Sequence, residues 1–255
     1  MFSIKGKNAI VTGGSKGLGL AMAIGLAANG ANVLIIGRNK EALHQSSKLI
    51  DSKKAEGVNI YTLCADLSDI DGIEDVFTQC VKIMGGKVDI LVNNAGIQYR
   101  CPAKDYPLEK WLQIINVNLN AVFAFAKAAG NHMIKRGNGK IINIASMTSY
   151  FGSEMIPAYS ASKGAIMQLT KALSNEWMQF GVNVNAIAPG YMETELTQDM
   201  KSKNLKQYEE VTGRIPAKRW GKPSDLVGTL IFLSSDASNY VSGAIIPVDG
   251  GYLGK

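Results

Sequence analysis

"NAIVTGGSKGLGLAMAIGLA", residues 8–27, decides the fold. Asn8 to Thr12 is a short β-branched, apolar run, as a buried strand requires. "TGGSKGLG", Thr12 to Gly19, follows it, and "LGLAMAIGLA", Leu18 to Ala27, continues as a helical stretch of small residues. Glycine lets the backbone turn tightly and lets a ligand approach without a Cβ clash. The first turn of a helix offers unpaired N–H groups and the positive end of a dipole, which suit a pyrophosphate. A glycine cluster alone is weak evidence. Between a strand and a helix, at the head of a strand–helix–strand unit, it points to a dinucleotide. Gly13, Ser15, Lys16, Gly17, Leu18 and Gly19 form the expected cradle.

Outward from this stretch the chain alternates short β-branched runs with longer helical patterns. The strand candidates are Asn8–Thr12, Asn32–Ile36, Ile60–Cys64, Asp89–Val92, Lys140–Ile144, Val182–Ile187 and Ala244–Val248. Several are apolar almost throughout, as strands covered on both faces must be. Helices are expected to start near Gly17, Lys40, Ile70, Leu108, Ala158 and Ser224. The alternation implies right-handed crossovers and a single doubly wound parallel sheet of about seven strands, a Rossmann fold. No linker-like stretch divides it, so residues 1–255 are read as one domain. The polar segment from Met192 to Pro216 breaks the rhythm. It is either a lid near the carboxyl ends of the strands or an ordinary surface helical excursion.

Of the 255 residues, 46% are hydrophobic and 19% charged, enough for one sizeable core with no long disordered region. No stretch approaches a membrane span and none reads as a signal peptide. Cys64, Cys80 and Cys101 are an odd count without metal-like spacing, consistent with reduced thiols in a cytoplasmic protein. The histidines, His44 and His132, are far apart, which argues against a histidine-rich metal site or a Ser-His-Asp triad. The net charge of +6 comes from scattered Lys and Arg with no basic tract, so nucleic acid is not expected as a partner.

The second strand carries the choice of dinucleotide. A carboxylate at its end would hold a ribose 2′-OH. "IGRN", Ile36 to Asn39, has none but offers Arg38, with Lys16 in the glycine turn. Two cations there match a 2′-phosphate, favouring NADP(H), with NAD(H) possible. After the third strand, Asp66 and Leu67 stand where an adenine would lie. Asp66 reads equally as an acceptor for the adenine amino group or as a helix cap.

"PAYSASK", Pro157 to Lys163, places Tyr159 and Lys163 one turn apart on a helix, a phenol beside an ammonium. "IINIAS", Ile141 to Ser146, is a strand ending in a serine, and "WLQIINVN", Trp111 to Asn118, carries two asparagines. Spacing alone leaves Asn116 and Asn118 both open. The sequence resembles the classical short-chain dehydrogenase/reductase family over essentially its full length. The matching motifs are Thr12-Gly13-x-x-x-Gly17-x-Gly19, Asn93-Asn94-Ala95-Gly96, Asn118, Ser146, Tyr159-x-x-x-Lys163 and Pro189-Gly190. The resemblance implies that Tyr159 is the general acid/base, its phenolate favoured by the Lys163 charge. It implies that Lys163 also binds the nicotinamide ribose, that Ser146 polarises the substrate oxygen, and that Asn118, rather than Asn116, leads a proton relay. Asn94, Ala95 and Gly96 would line the cofactor, and Pro189, Gly190, Met192 and Thr194 would approach its nicotinamide end. Glu193 and Glu195, flanking Thr194, are read as solvated, with no metal assigned.

Substrate-side candidates are Ser146, Gln98, Arg100, Thr148, Glu154, Tyr191 and Met192. This lining is more polar than a steroid or long acyl chain requires. Arg100 could pair with a carboxylate or be an ordinary surface arginine. "IASM", "APGYMET", "RIPAKRWG" and "DGGYL" resemble the sugar-acid branch of the family, which interconverts a secondary alcohol and a ketone on a hexonate. A 3-oxoacyl-carrier-protein reductase and a catalytically silent NADP(H)-binding sensor are the alternatives. The family is commonly tetrameric, which implies a homotetramer.

Overall fold

Seven parallel strands form one sheet in the order β3-β2-β1-β4-β5-β6-β7. The computed structural model describes residues 1–194 and 204–254. The strands are β1 (Asn8–Thr12), β2 (Asn32–Gly37), β3 (Ile60–Cys64), β4 (Ile90–Asn93), β5 (Gly139–Ile144), β6 (Val182–Pro189) and β7 (Ile245–Val248). β4, β5 and β6 are buried at every residue, because helices cover both faces. β3 and β7 sit at the edges and expose part of their length.

The helices that matter for the site are α1 (Gly17–Ala28), α2 (Lys40–Asp51), α3 (Ile73–Ile83), α4 (Leu108–Ile115), α5 (Ala121–Arg136) and α6 (Pro157–Trp177). Small residues let α1 lie close to the sheet, with Met22, Ala23, Leu26 and Ala27 in the core beside Val11, Val33 and Ile35. On the other face Phe77 of α3 meets Phe125 of α5 edge to face at 5.8 Å, over Leu34 and Leu91. The expected elements are present, with boundary differences of a few residues. The third helix begins at Ile73, because "DLSDIDG" is taken up by turns. The helix expected from Ser224 is a 3₁₀ turn, Pro223–Leu226, followed by Val227–Ser234. Within the segment 192–216, Leu205–Arg214 is helical, and residues 195–203 lie outside the described residues.

The continuous helical run Leu108–Arg136 is long and apolar enough to cross a bilayer by length and composition, which the sequence reading did not anticipate. Its apolar side is turned to the sheet: Ala121, Phe125, Ala126, Ala129 and Met133 all belong to the core.

The sheet reverses its order between β1 and β4, the switch point where a crevice opens at the carboxyl ends. At the opposite end Asp89 locks the same two strands. One carboxylate oxygen accepts the Asn8 N–H at 2.9 Å, the other the Arg136 guanidinium at 2.9 Å. Burial raises the Asp89 pKa, but these bonds and Lys87 outweigh it and hold the carboxyl below its ordinary value. Asp89→Asn is expected to cost about 2 kcal/mol at neutral pH, read by urea denaturation. A carboxyl depressed in the folded state gives stability above its unfolded pKa and loses it as pH falls through the folded one. The gap between wild type and variant is therefore expected to close below pH ~4.

Candidate active site

The glycine turn is built around side chains that fasten it to β4. The Thr12 hydroxyl accepts the Asn94 and Ala95 N–H groups, each at 3.0 Å. The Asn94 amide donates back to the Thr12 carbonyl at 2.9 Å and the Gly13 carbonyl at 3.2 Å. Gly13 has a left-handed φ of +64°, and a Cβ there would stand 3.0 Å from the Ala95 Cα. At Gly19 a Cβ would collide with the Gly13 carbonyl. Only glycine fits both positions. The N-cap of α1, Lys16, supplies no side-chain bond to the first turn, so its N–H groups remain open to an anion.

Arg38 and Lys16 are both exposed. Arg38 follows β2, whose Gly37 packs close to Ser15 of the glycine turn. Asp66 behaves as a turn residue: one oxygen accepts the Ser68 N–H at 3.0 Å and the Ser68 hydroxyl at 2.9 Å. The Ser68 N–H, helped by the Arg38 charge, holds its carboxyl below the ordinary value. The Leu67 side chain is buried in the core. Met192 is likewise core, with its backbone bridged to Gly221. The core claims both side chains, which leaves the cofactor roles expected of Leu67 and Met192 to their backbones. Pro189 ends β6, Gly190 donates to the Val248 carbonyl at 3.0 Å, and Thr194 is half-buried.

Ser146, Tyr159 and Lys163 meet at the end of β5. Ser146 is 7% exposed, and its hydroxyl lies close enough to the Tyr159 phenol to act on its titration. Burial raises the Tyr159 pKa above its ordinary value, and the neighbouring Ser146 hydroxyl opposes it without prevailing. Lys163 is 5% exposed, and its Nζ donates to the Ile144 carbonyl at 2.6 Å, 5.6 Å from the Tyr159 ring centre. Burial brings its pKa down to about 8. Desolvation dominates the balance at Tyr159, so the expected net depression of its pKa is not reached.

Asn118 lies in a π-helical turn, Asn116–Asn120, between α4 and α5. It is fully buried, accepts the Ile97 N–H at 2.8 Å, and donates to the Ile97 carbonyl at 2.9 Å and the Ser162 hydroxyl at 3.3 Å. Asn116 turns away and donates to the Ser68 carbonyl at 2.8 Å. Asn118 reaches α6 through Ser162, not through a direct bond to Lys163. Ser149 was not foreseen: its hydroxyl donates to the Lys163 carbonyl at 2.6 Å. In sequence Thr12 is no more than a motif position, and nothing there distinguishes the work of either hydroxyl.

On the substrate side, Gln98, Arg100 and Glu154 are exposed, and Thr148 is buried. Met155 has a left-handed φ of +68°, and its carbonyl accepts the Cys101 N–H at 2.8 Å, fastening the loop of Arg100 to the approach to α6. Tyr191 packs between Trp220 and Tyr252, with ring centres at 5.2 and 5.6 Å. Burial raises its phenol above the ordinary value, and the Arg214 and Arg100 charges act the other way. Among the described residues no cluster of His, Cys, Asp or Glu could hold a metal. Glu193 donates its backbone N–H to Gly221, and Glu195 lies outside the described residues.

A family model described as short chain dehydrogenase matches residues 7–205. The chain is 44% identical to the 2-dehydro-3-deoxy-D-gluconate 5-dehydrogenase of Bacillus subtilis (strain 168), over 100% of this chain and 97% of that one. It is 42% identical to the gluconate 5-dehydrogenase of Gluconobacter oxydans (strain 621H), over 98% and 96%. The crystal structure of a gluconate 5-dehydrogenase from Burkholderia cenocepacia J2315, in complex with NADP and tartrate, superposes with a TM-score of 0.92 at 37% identity, covering 100% and 98%.

Thr12→Val keeps the shape of the side chain but removes the acceptor shared by two N–H groups. It is expected to cost about 2–3 kcal/mol in urea denaturation.

Proposed function

Because the chain belongs to the short-chain dehydrogenase family, we propose that it interconverts a secondary alcohol and a ketone on a sugar acid of the keto-hexonate type, with NADP(H) preferred over NAD(H). The observation that carries this reading is the gathering of Ser146, Tyr159 and Lys163 at the carboxyl end of β5, in the same parallel sheet whose β1 ends in the glycine turn, in a chain whose full-length relatives are named for sugar acids. The residues present fit a dinucleotide: Gly13 and Gly19 let the turn close tightly where a Cβ would collide with Ala95 and with the Gly13 carbonyl, a Cβ at Gly17 would meet open space, and α1 presents an uncapped first turn. When bound, the nicotinamide cofactor supplies or accepts the hydride.

The roles follow from the chain's own groups. Tyr159, kept protonated by burial, gives its proton to the substrate oxygen during reduction and takes it back during oxidation. Ser146 holds that oxygen by a hydrogen bond. Lys163, a cation below pH of about 8, favours the phenolate as it forms. Asn118 fixes the Ile97 backbone and Ser162, and leads the proton relay. Gly13, Ser15, Lys16, Gly17, Leu18, Gly19, Arg38, Asp66, Leu67, Asn94, Ala95, Gly96, Pro189, Gly190, Met192 and Thr194 are assigned to the cofactor, Leu67 and Met192 through their backbones. Arg38 and Lys16, both exposed, are the cations for a 2′-phosphate. Gln98, Arg100 and Tyr191 face the substrate, Arg100 toward its carboxylate. The assembly is a homotetramer of single-domain subunits, supported by exposed Leu108, Leu112 and Phe123 on the long helical run. Free thiols at Cys64, Cys80 and Cys101 fit a cytoplasmic protein.

The test is nicotinamide absorbance with keto-hexonates, hexonates and an acetoacetyl thioester, NADPH run beside NADH. Turnover of a keto-hexonate is expected, and Tyr159→Phe should lower kcat by about 10³-fold with cofactor affinity retained. Activity confined to the thioester would make the protein an acyl reductase; no turnover at all would make it a sensor.

Two further outcomes follow from the same charges. Arg38→Ala is expected to lower kcat/KM for NADPH about 10- to 100-fold while leaving NADH within a few-fold. Alcohol oxidation needs the rare phenolate and should rise from pH 7 to about 8, then more slowly as Lys163 loses its charge, whereas ketone reduction should not rise, as parallel pH profiles would show.

A further inference from the structure

Three buried hydroxyl oxygens among the described residues have no hydrogen-bond partner: Thr148, Ser160 and Ser234. An unpaired buried hydroxyl is costly, and proteins seldom keep one without a use. Thr148 differs from the other two in where it is held. It lies in the 3₁₀ turn Met147–Ser149, directly after the catalytic serine, and its own N–H donates to the Ser146 hydroxyl at 3.1 Å. Its backbone therefore touches the atom expected to bind the reacting oxygen, and its hydroxyl belongs to the same turn. The turn is rigid on both sides: Ser149 donates to the Lys163 carbonyl at 2.6 Å and its N–H to the Ser146 carbonyl at 2.9 Å. Thr148 is 7% exposed, so bulk water does not satisfy it.

We propose that Thr148 reads a hydroxyl on the carbon next to the one that reacts, and so selects polyhydroxy substrates over simple ketones and acyl thioesters. The inference rests on the sugar-acid reading above and deepens it. In a keto-hexonate the carbons flanking the carbonyl bear oxygen; in a 3-oxoacyl thioester they bear only hydrogen. A site with a pre-placed, unpaired hydroxyl gains a hydrogen bond from the first and leaves its own group unpaired with the second. Thr148 would be a specificity residue, distinct from the proton-transferring set.

The experiment uses wild type, Thr148→Val and Thr148→Ser. Its readout is the ratio of kcat/KM for a ketone bearing a neighbouring hydroxyl to that for its deoxy counterpart, with NADPH. Thr148→Val is expected to lower that ratio about 10- to 100-fold by losing rate on the hydroxylated ketone alone. Thr148→Ser should keep it, and NADPH affinity should not change. Because valine removes an unpaired hydroxyl, the melting temperature of Thr148→Val should equal or exceed that of wild type. A structural role would instead lower the melting temperature and both activities together. An unchanged ratio, or an equal loss on both ketones, overturns the proposal. If wild type turns over hydroxylated ketones other than hexonates, the sugar-acid reading fails while the ratio still decides the role of Thr148. A wild type that prefers the deoxy ketone, or reduces neither, overturns both.

Discussion

The site is arranged around one buried cation. Lys163 is 5% exposed, yet it carries an ammonium that must find oxygen partners or lose its proton. Its Nζ takes the Ile144 carbonyl at 2.6 Å, at the end of β5, and its own carbonyl takes the Ser149 hydroxyl at 2.6 Å. These two bonds fix α6 against β5 and against the turn that follows. Ser146 stands two residues beyond Ile144, and Tyr159 stands one helical turn before Lys163. Once α6 is docked this way, the Ser146 hydroxyl and the Tyr159 phenol are brought near each other at the end of β5. The same burial that makes the geometry firm raises the Tyr159 pKa and lowers that of Lys163 to about 8. Both groups are thereby biased toward their neutral forms, so the phenol holds its proton at neutral pH until the substrate oxygen demands it.

A second fastening sets the cofactor end against this centre. Thr12 and Asn94 tie the glycine turn to the end of β4 through both backbone and side chain. β4 then continues this link into β5, where the buried Asn93 amide donates to Asn143 at 3.0 Å and Asn143 donates to Thr170 of α6 at 3.0 Å. A chain of polar groups therefore runs across the carboxyl half of the sheet, from the glycine turn to the helix that carries Tyr159. Buried polar groups of this kind demand specific partners, and so they fix register where apolar packing would tolerate a slip.

The fold was legible because two simple patterns agree. Apolar runs such as "ILVN" and "KIINI" cannot be half-exposed strands, and the glycine turn cannot sit inside a helix. Tyr159 and Lys163 were legible because a helix places residues four apart on one face. Asn116 and Asn118 were not separable by spacing. The difference lies in a π-helical turn, where Asn118 points to Ile97 and Ser162 and Asn116 to Ser68. Leu67 and Met192 read as ligand residues by position, yet the core claims their side chains. Asp66 read two ways, and its bonds to Ser68 show a turn. The sign of the Tyr159 shift also depended on something no sequence carries, namely how much water the fold removes from the phenol. Arg100 was visible as a lone arginine; only the Met155–Cys101 bond shows how its loop is held.

One measurement tests the buried cation most directly: titration of the Lys163 side chain by NMR in selectively labelled protein, with Lys163→Met to assign the signal. A midpoint near 8, well below the ordinary lysine value of about 10.4, is the predicted result. A midpoint at or above 10 would mean that Lys163 is solvated, and that the docking of α6 on the Ile144 carbonyl does not organise the site.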